Sequence, residues 1–471
     1  MQPIQKHSLP EHEDWTFPDQ ELNAHIHGLH LYPARMHPPV ARRAIELFAS
    51  ERDLILDPFC GSGGVLAEAR IKGYRSIGID INPLACLLSR VKTTPLNPNL
   101  LSQKWKLLLC QLKRNLQEPL LPKIVEDLEK ASKIDNKKKK TELLRSVRND
   151  FEENEFSITD FSSLNLLYWF KPKTVVELAV IKNCIDNLLK GEVRDFFYVC
   201  LSKTVRCASG TRKGEFKLYR IPEAKWEKFN PATLEIFTRI VTDNIVRMAD
   251  FHKIIAESNF VSPPPIVILS DTRKIFSNEF SRKDKNLLFE YNGSSLTGKV
   301  NLIITSPPYG DSGTTVAYGQ FSRYLSFWLG FRKEDYYDVD RWSLGGKDKD
   351  EKLESMTLNQ VLKAIDAKNQ KRALQIKSFY VDLNICLGNL YKVLASNGKI
   401  CFVLGNRNIS GFRIPTDQIL VELAKSFGFE YNGAFSRSIL KKRIPWKSSP
   451  TNTPGEKIET ISEERIVVLG K

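Results

Sequence analysis

Apolar and polar positions alternate along the chain in two distinct rhythms. Near the N-terminus, PVARRAIELFAS (residues 39–50) sets Ala41, Ile45, Leu47 and Phe48 at near-helical spacing behind a proline start, which predicts a helix. Leu54 to Leu56 then form a short apolar run, Asp57 to Gly63 a tight glycine-rich turn, and Gly64 to Lys72 a second helical pattern. Arg75 to Asp80 (RSIGID) complete a strand–turn–helix–strand unit of βαβ size.

From about Leu101 to Asn259 the rhythm is helical throughout, as in SLNLLYWF, TVVELAVIKNCIDNLLK and VRDFFYVCLSKTV. Four consecutive lysines, Lys137 to Lys140, interrupt it and read as a solvated loop. Pro263-Pro264-Pro265 closes the stretch as a stiff boundary. Strand patterns then resume. PIVILSD (265–271) and VNLIITS (300–306) are the β-branched runs of strands covered on both faces. Residues 332–375, with KDKDEK, read as surface loop with some helix. Phe379 to Leu394 reads as a helix stopped by Asn397-Gly398, and KICFVLG, FEYNGAF and ERIVVLG as three more strands, with the helix TDQILVELAKSF between the first two. The pattern predicts an α/β fold: one open, doubly wound, mainly parallel sheet carrying a large, mainly helical insertion. Its expected divisions are 1–100 (first part of a catalytic domain), 101–260 (the helical insertion, the candidate target-recognition region), 261–330 (second part), 331–377 (a charged surface insertion) and 378–471 (C-terminal strands and helices).

Composition adds a partner. Apolar residues with glycine make up about 47%, an ordinary globular value that excludes a disordered or fibrous chain. Seventy Lys and Arg against fifty-five Asp and Glu leave +15, which favours a polyanion such as nucleic acid. No apolar run approaches a membrane span and the N-terminus has no signal core, so no membrane is expected and the cytoplasm is the expected compartment. The eight cysteines form no C-x-x-C pair and no zinc-like spacing with histidine, so no metal site is expected.

Two turns carry candidate chemistry. Asp57-Pro58-Phe59-Cys60-Gly61-Ser62-Gly63-Gly64 ends the first strand, where glycines permit close approach of a ligand to a helix N-terminus. Asp80 ends the second strand, where a carboxylate accepts ribose hydroxyls. On this evidence nicotinamide, flavin and S-adenosylmethionine sites all remain open, although Leu66 stands where a dinucleotide fingerprint has its third glycine. Thr305-Ser306-Pro307-Pro308-Tyr309-Gly310 follows the strand LII on the same sheet edge. Its prolines fix the backbone and leave carbonyls as acceptors. The Ser306 hydroxyl and the Pro307 carbonyl are thereby candidates to accept from one exocyclic amine, with Pro308 and Tyr309 bounding the pocket and Tyr309 offering a face to a planar base.

With DPFCGSGG and TSPPYG together, the chain resembles the amino-group DNA methyltransferases, which methylate cytosine-N4 or adenine-N6; the resemblance covers roughly residues 30–100 and 265–471. It implies S-adenosyl-L-methionine as cofactor, held by Asp57, Pro58, Phe59, Gly61, Ser62, Gly63, Asp80 and Ile81, with Asp271 at the position that touches the adenine amino group. HLYPARMHPP (30–39) resembles, more weakly, the segment that closes over the methionine end. Gly64 stands where the family usually has Thr, and a 160-residue insertion between Asp80 and Asp271 departs from the family pattern. Serine at 306 leans toward cytosine-N4 in that family, with adenine-N6 and an RNA amine as the alternatives. Ring-carbon methylation is not expected, because the chain lacks the Pro-Cys nucleophile it requires.

The resemblance implies double-stranded DNA as substrate, a prokaryotic cytoplasm, and a restriction–modification setting with a cognate endonuclease as a further partner. DNA contacts are expected from Arg206, Arg212, Lys213, Lys217 and Arg220, which interleave with Phe216 and Tyr219, from Lys441, Lys442 and Arg443, and from residues 332–375 and 406–413. A non-catalytic DNA-binding protein on the same scaffold is disfavoured by the intact Asp57, Asp80, Ser306 and Tyr309. A small-molecule methyltransferase is disfavoured by the charge.

Overall fold

The computed structural model describes residues 13–153, 165–258, 263–275, 298–311, 315–409, 411–440, 447–448, 458–459 and 461–471. Its centre is a seven-stranded sheet. The strands are β1 (Leu54–Asp57), β2 (Arg75–Asp80), β3 (Ile266–Leu269), β4 (Val300–Thr305) and β5 (Leu394–Gly405). A small hairpin follows, β6 (Arg407–Ile409) with β7 (Phe412–Ile414), then β8 (Glu430–Ser438), a short pair β9 (Lys447–Ser448) with β10 (Ile458–Glu459), and β11 (Glu463–Gly470).

The sheet order is β3-β2-β1-β4-β5-β11-β8. The first five of these are parallel, while β11 runs antiparallel between β5 and β8. The strand order therefore reverses between β1 and β4, the switch point at which open α/β sheets bind ligands beyond their carboxyl ends.

Strand alternation divides the core between the two faces. Ile55, Leu302, Ile304, Cys401 and Val403 pack with α1 (Pro38–Phe48) and α2 (Gly64–Ile71), through Val40, Ala41, Ile45 and Val65. Leu56, Ile77, Ile303, Ile400 and Phe402 point the other way, onto the helices Gln370–Val393 and Thr416–Lys425 through Phe379, Leu383 and Leu420. The predicted α/β class and doubly wound sheet are what the molecule has.

Between β2 and β3 run α3 (Pro83–Thr93) and then eight further helices among the described residues. Their apolar stripes form one core with α3 and the helix Tyr318–Trp328, and no described residue of the sheet's strands belongs to it. Leu84, Leu87 and Leu88 of α3, Leu108, Phe197, Phe237 and Met248 of the insertion, and Phe321 of the helix Tyr318–Trp328 belong to one buried cluster.

Three sequence expectations need correction. Lys137 to Lys140 open a helix, Lys137–Glu153, rather than a loop. The Asn136 side chain accepts from Lys138 and Lys139 N–H, while Leu144, Val147 and Phe151 bury the helix's far end. Residues 332–375 are mostly helical and anchored, with Leu344, Leu353, Leu358 and Ile365 in the core behind their charges. Asn397-Gly398 lies inside β5; the preceding helix ends at Val393, and the buried Leu394 passes directly into the strand.

Candidate active site

Local chemistry sets the first turn. Gly61 and Gly63 adopt φ of +50° and +75°, which an L side chain rarely takes. A Cβ on Gly63 would also stand 2.8 Å from the backbone of Ser89. Beside Gly64 there is open space, so a side chain at this position would meet no neighbour.

The turn brings Asp57 and Asp80 together at one cleft. Asp57 is 3% exposed and accepts from the Thr305 hydroxyl at 2.7 Å and the Phe59 N–H at 3.2 Å. Burial pushes its carboxyl up to about 7 despite those bonds. Asp80 keeps one edge open to the cleft and accepts from the N–H groups of Gly61 (2.9 Å) and Asn82 (2.8 Å), which leaves lone pairs for a ligand. Its low-dielectric surroundings still push it up to about 6. Among the described residues no cation pairs with either carboxylate. The cleft is thus built for a partner carrying positive charge, and phosphates would meet these carboxylates with repulsion.

Pro58, Phe59, Gly61, Ser62 and Ile81 line this cleft. Gly63 does not; it turns the chain behind the wall, its N–H bonded to the Cys60 carbonyl. The segment 30–39 forms the opposite wall with Tyr32, Pro33, Ala34, Arg35, Met36 and Pro38. Asp271 reaches the cleft, but Arg273 engages both of its oxygens and bridges on to Asp382.

The second turn enters from β4. Ser306 and Pro308 face the same cleft, and Pro307 is buried. Tyr309 lies to one side, its ring against Gly405. The Ser306 hydroxyl donates to the Tyr309 hydroxyl at 3.3 Å, which donates to Glu464 of β11 at 2.7 Å. Arg437 holds the other Glu464 oxygen at 2.9 Å. Burial and the Glu464 charge hold the tyrosine proton in place. With its single proton given to Tyr309, Ser306 presents only lone pairs to the cleft.

Sequence reasoning missed several cleft residues. Asn82 donates to Tyr32 (3.2 Å) and Ser322 (3.1 Å), tying the end of β2 to both walls. Tyr318 adds an aromatic face, and Trp342 and Leu344 come from the stretch read as surface. Lys92 of α3 lines the cleft floor beside Ser62 and is 3% exposed. In sequence it is an ordinary last-turn helix lysine. Asn82 alone was findable, as an Asn cap before Pro83.

The predicted DNA residues divide. Arg206 is 6% exposed, lies over the Phe321 ring and bonds the Glu215 carbonyl. The Lys213 ammonium turns inward to the carbonyls of Arg206 and Ser209, where burial lowers it to about 8. Both fasten the hairpin to the protein. Arg220 stacks over Tyr168 and Trp226. Arg212 is exposed and reaches Glu215 at 3.4 Å; Lys217 is half-buried on the same hairpin. The hairpin abuts the cleft's helix Tyr318–Trp328 through the Leu218 N–H and Gln320. Lys441, Lys442 and Arg443 lie outside the described residues. Among the described residues no His, Cys and acidic cluster could hold a metal, and no helix is long and apolar enough to cross a membrane.

Comparison with known proteins gives this geometry a context. A family model described as DNA methylase matches residues 3–90. The chain is 34% identical over 458 residues to the Type II methyltransferase M.MvaI of Kocuria varians, covering 94% of this chain and 90% of that protein. It is 26% identical over 334 residues to the Type II methyltransferase M.MjaII of Methanocaldococcus jannaschii, covering 62% and 60%. A stretch of 52 residues, 11% of this chain and 16% of the relative, is 48% identical to the tRNA (guanine(10)-N2)-dimethyltransferase of Methanothermobacter thermautotrophicus.

Proposed function

The chain belongs to the amino-group DNA methyltransferases, and we propose that it methylates the exocyclic N4 amine of a cytosine flipped out of double-stranded DNA at a specific sequence, with S-adenosyl-L-methionine as donor. The observation that carries this reading is one cleft holding the buried Asp57 and the half-buried Asp80, neither paired with a cation among the described residues, and the acceptor-only hydroxyl of Ser306.

The donor set fits the cofactor. Asp57 and Asp80 are counter-charges for a cationic ligand, and Asp80 has lone pairs left for ribose hydroxyls. Bound there, S-adenosyl-L-methionine supplies an electrophilic methyl on sulfur. The chain's own task is the nucleophile. An aromatic amine is a poor one, because its lone pair is delocalised into the ring. Ser306 accepts one of its N–H groups and the Pro307 carbonyl accepts the other, which favours a pyramidal nitrogen with a freed lone pair. Rigid proline backbone holds both acceptors in place for in-line attack. A base reaches a recessed cleft only out of the duplex stack, and Tyr309, bonded to Ser306, and Tyr318, in the cleft lining, offer it aromatic faces.

The match to one Type II methyltransferase over nearly the whole chain supports a restriction–modification setting with an endonuclease of the same specificity. Nucleoside mass spectrometry of DNA from cells expressing the protein tests the reading. N4-methylcytosine is expected, lost in Ser306→Ala. N6-methyladenine in its place overturns the base assignment, and neither product overturns the activity.

A further inference from the structure

Lys92 is a buried cation with no carboxylate beside it among the described residues. The residue is 3% exposed, and its ammonium donates to the Ser62 hydroxyl at 3.0 Å. Long cations are almost never buried without a partner, because desolvation costs several kcal/mol per ion. Burial and the nearby Arg35 both act against its charged form. The fold has nevertheless kept it, with Ser62 and Arg35, in the wall of the cleft that holds Asp57 and Asp80. A hydrophobic residue would fill this buried position at lower cost if packing were its task.

We infer that Lys92, with Ser62, forms the anion end of the cleft and binds the carboxylate of the cofactor's amino-acid portion. The inference rests on S-adenosyl-L-methionine being the ligand. It divides the cleft by charge, with the carboxylates facing the cationic centres and the lysine facing the anionic one. The N-terminus of α2, opening beside Ser62 at Gly64, adds free N–H groups at the same end. The neighbouring His27 is held to Glu68 at 2.8 Å and, kept neutral by burial, adds no competing charge.

The test compares, by titration calorimetry on the full chain, S-adenosyl-L-methionine with its decarboxylated analogue, which keeps both cationic centres and lacks only the carboxylate. The parent chain should prefer the intact compound by about 10- to 100-fold, the worth of a hydrogen bond to a charged group. Lys92→Met should erase that preference, and its ligand-free form should melt no lower than the parent, since a buried unpaired charge has gone. Lys92→Gln provides a second replacement should the first fail to fold. Equal affinities in the parent, or an intact preference in a folded Lys92 variant, overturn the inference while leaving the cofactor assignment standing. If the parent binds neither compound, the cofactor assignment itself fails, and the inference with it.

Discussion

The Tyr309 hydroxyl donates to Glu464 across 2.7 Å, joining the turn after β4 to the last strand of the sheet over 155 residues of sequence. The bond fixes the direction of every proton in the chain from Ser306 to Arg437. A carboxylate can only accept, so the tyrosine must donate to it, and Ser306 must donate to the tyrosine.

Removing the middle link should therefore disturb Ser306 without touching the cofactor end. Tyr309→Phe frees the serine hydroxyl to rotate and leaves Glu464 short of one donor. We expect methyl transfer to slow by about tenfold, with a stability loss of about 1–3 kcal/mol. Tyr309→Ala should be slower still, if the ring also stacks the base. Single-turnover kinetics beside calorimetry of cofactor binding check this; a parallel loss of cofactor affinity contradicts it.

Asp80→Ala should weaken S-adenosyl-L-methionine binding by about 1–3 kcal/mol, because ribose hydroxyls and two backbone N–H groups lose their acceptor. Calorimetry that returns the parent's affinity removes Asp80 from the site.

The two raised carboxyls give ligand-free stability and cofactor affinity opposite dependences on pH. In the ligand-free chain Asp57 and Asp80 stay protonated to about 7 and about 6, well above the unfolded value near 3.8. The folded state therefore binds more protons between those limits, and ligand-free stability should fall as pH rises from about 4 toward 7. Cofactor affinity should move the other way, weakening as pH falls through 7 and 6, because a cationic ligand needs the ionised forms. Melting curves and calorimetry across pH 5–8 test both signs. Asp57→Asn should flatten the upper part of each profile.

The hairpin residues should separate by burial. Arg206→Ala loses the contacts to Phe321 and Glu215 and should destabilise the protein by about 1–3 kcal/mol. Arg212→Ala should leave the melting temperature unchanged and weaken DNA binding, with a shallower dependence on salt if the side chain meets a phosphate. Filter binding over a salt series beside thermal melts discriminates them; equal effects on melting refute the division.

The two motifs were legible because their chemistry is local. A short apolar strand followed by glycines or prolines states its own turn, and both turns lie at carboxyl ends on the same sheet. Residues whose partners are distant gave no such sign. Glu464 sits in a strand pattern like its neighbours, and only the placement of β11 beside β5 brings it to Tyr309. Lys137 to Lys140 misled because a charge run records what faces water and says nothing of Val147 and Phe151 about two to four turns later. The same holds for residues 332–375, where Leu353, Leu358 and Ile365 hide among lysines and aspartates.

The cluster running unbroken from Leu84 through Phe237 to Phe321 bears on how such an enzyme could be retargeted. A recognition unit attached by a linker can be transplanted whole, as a cassette. Here a graft taken at residues 101–260 would cut through side chains that interlock with α3 and with the helix bordering the cleft. An exchange of specificity between relatives would have to carry those helices along, so the seam of a working chimera belongs at β2 and beyond Trp328.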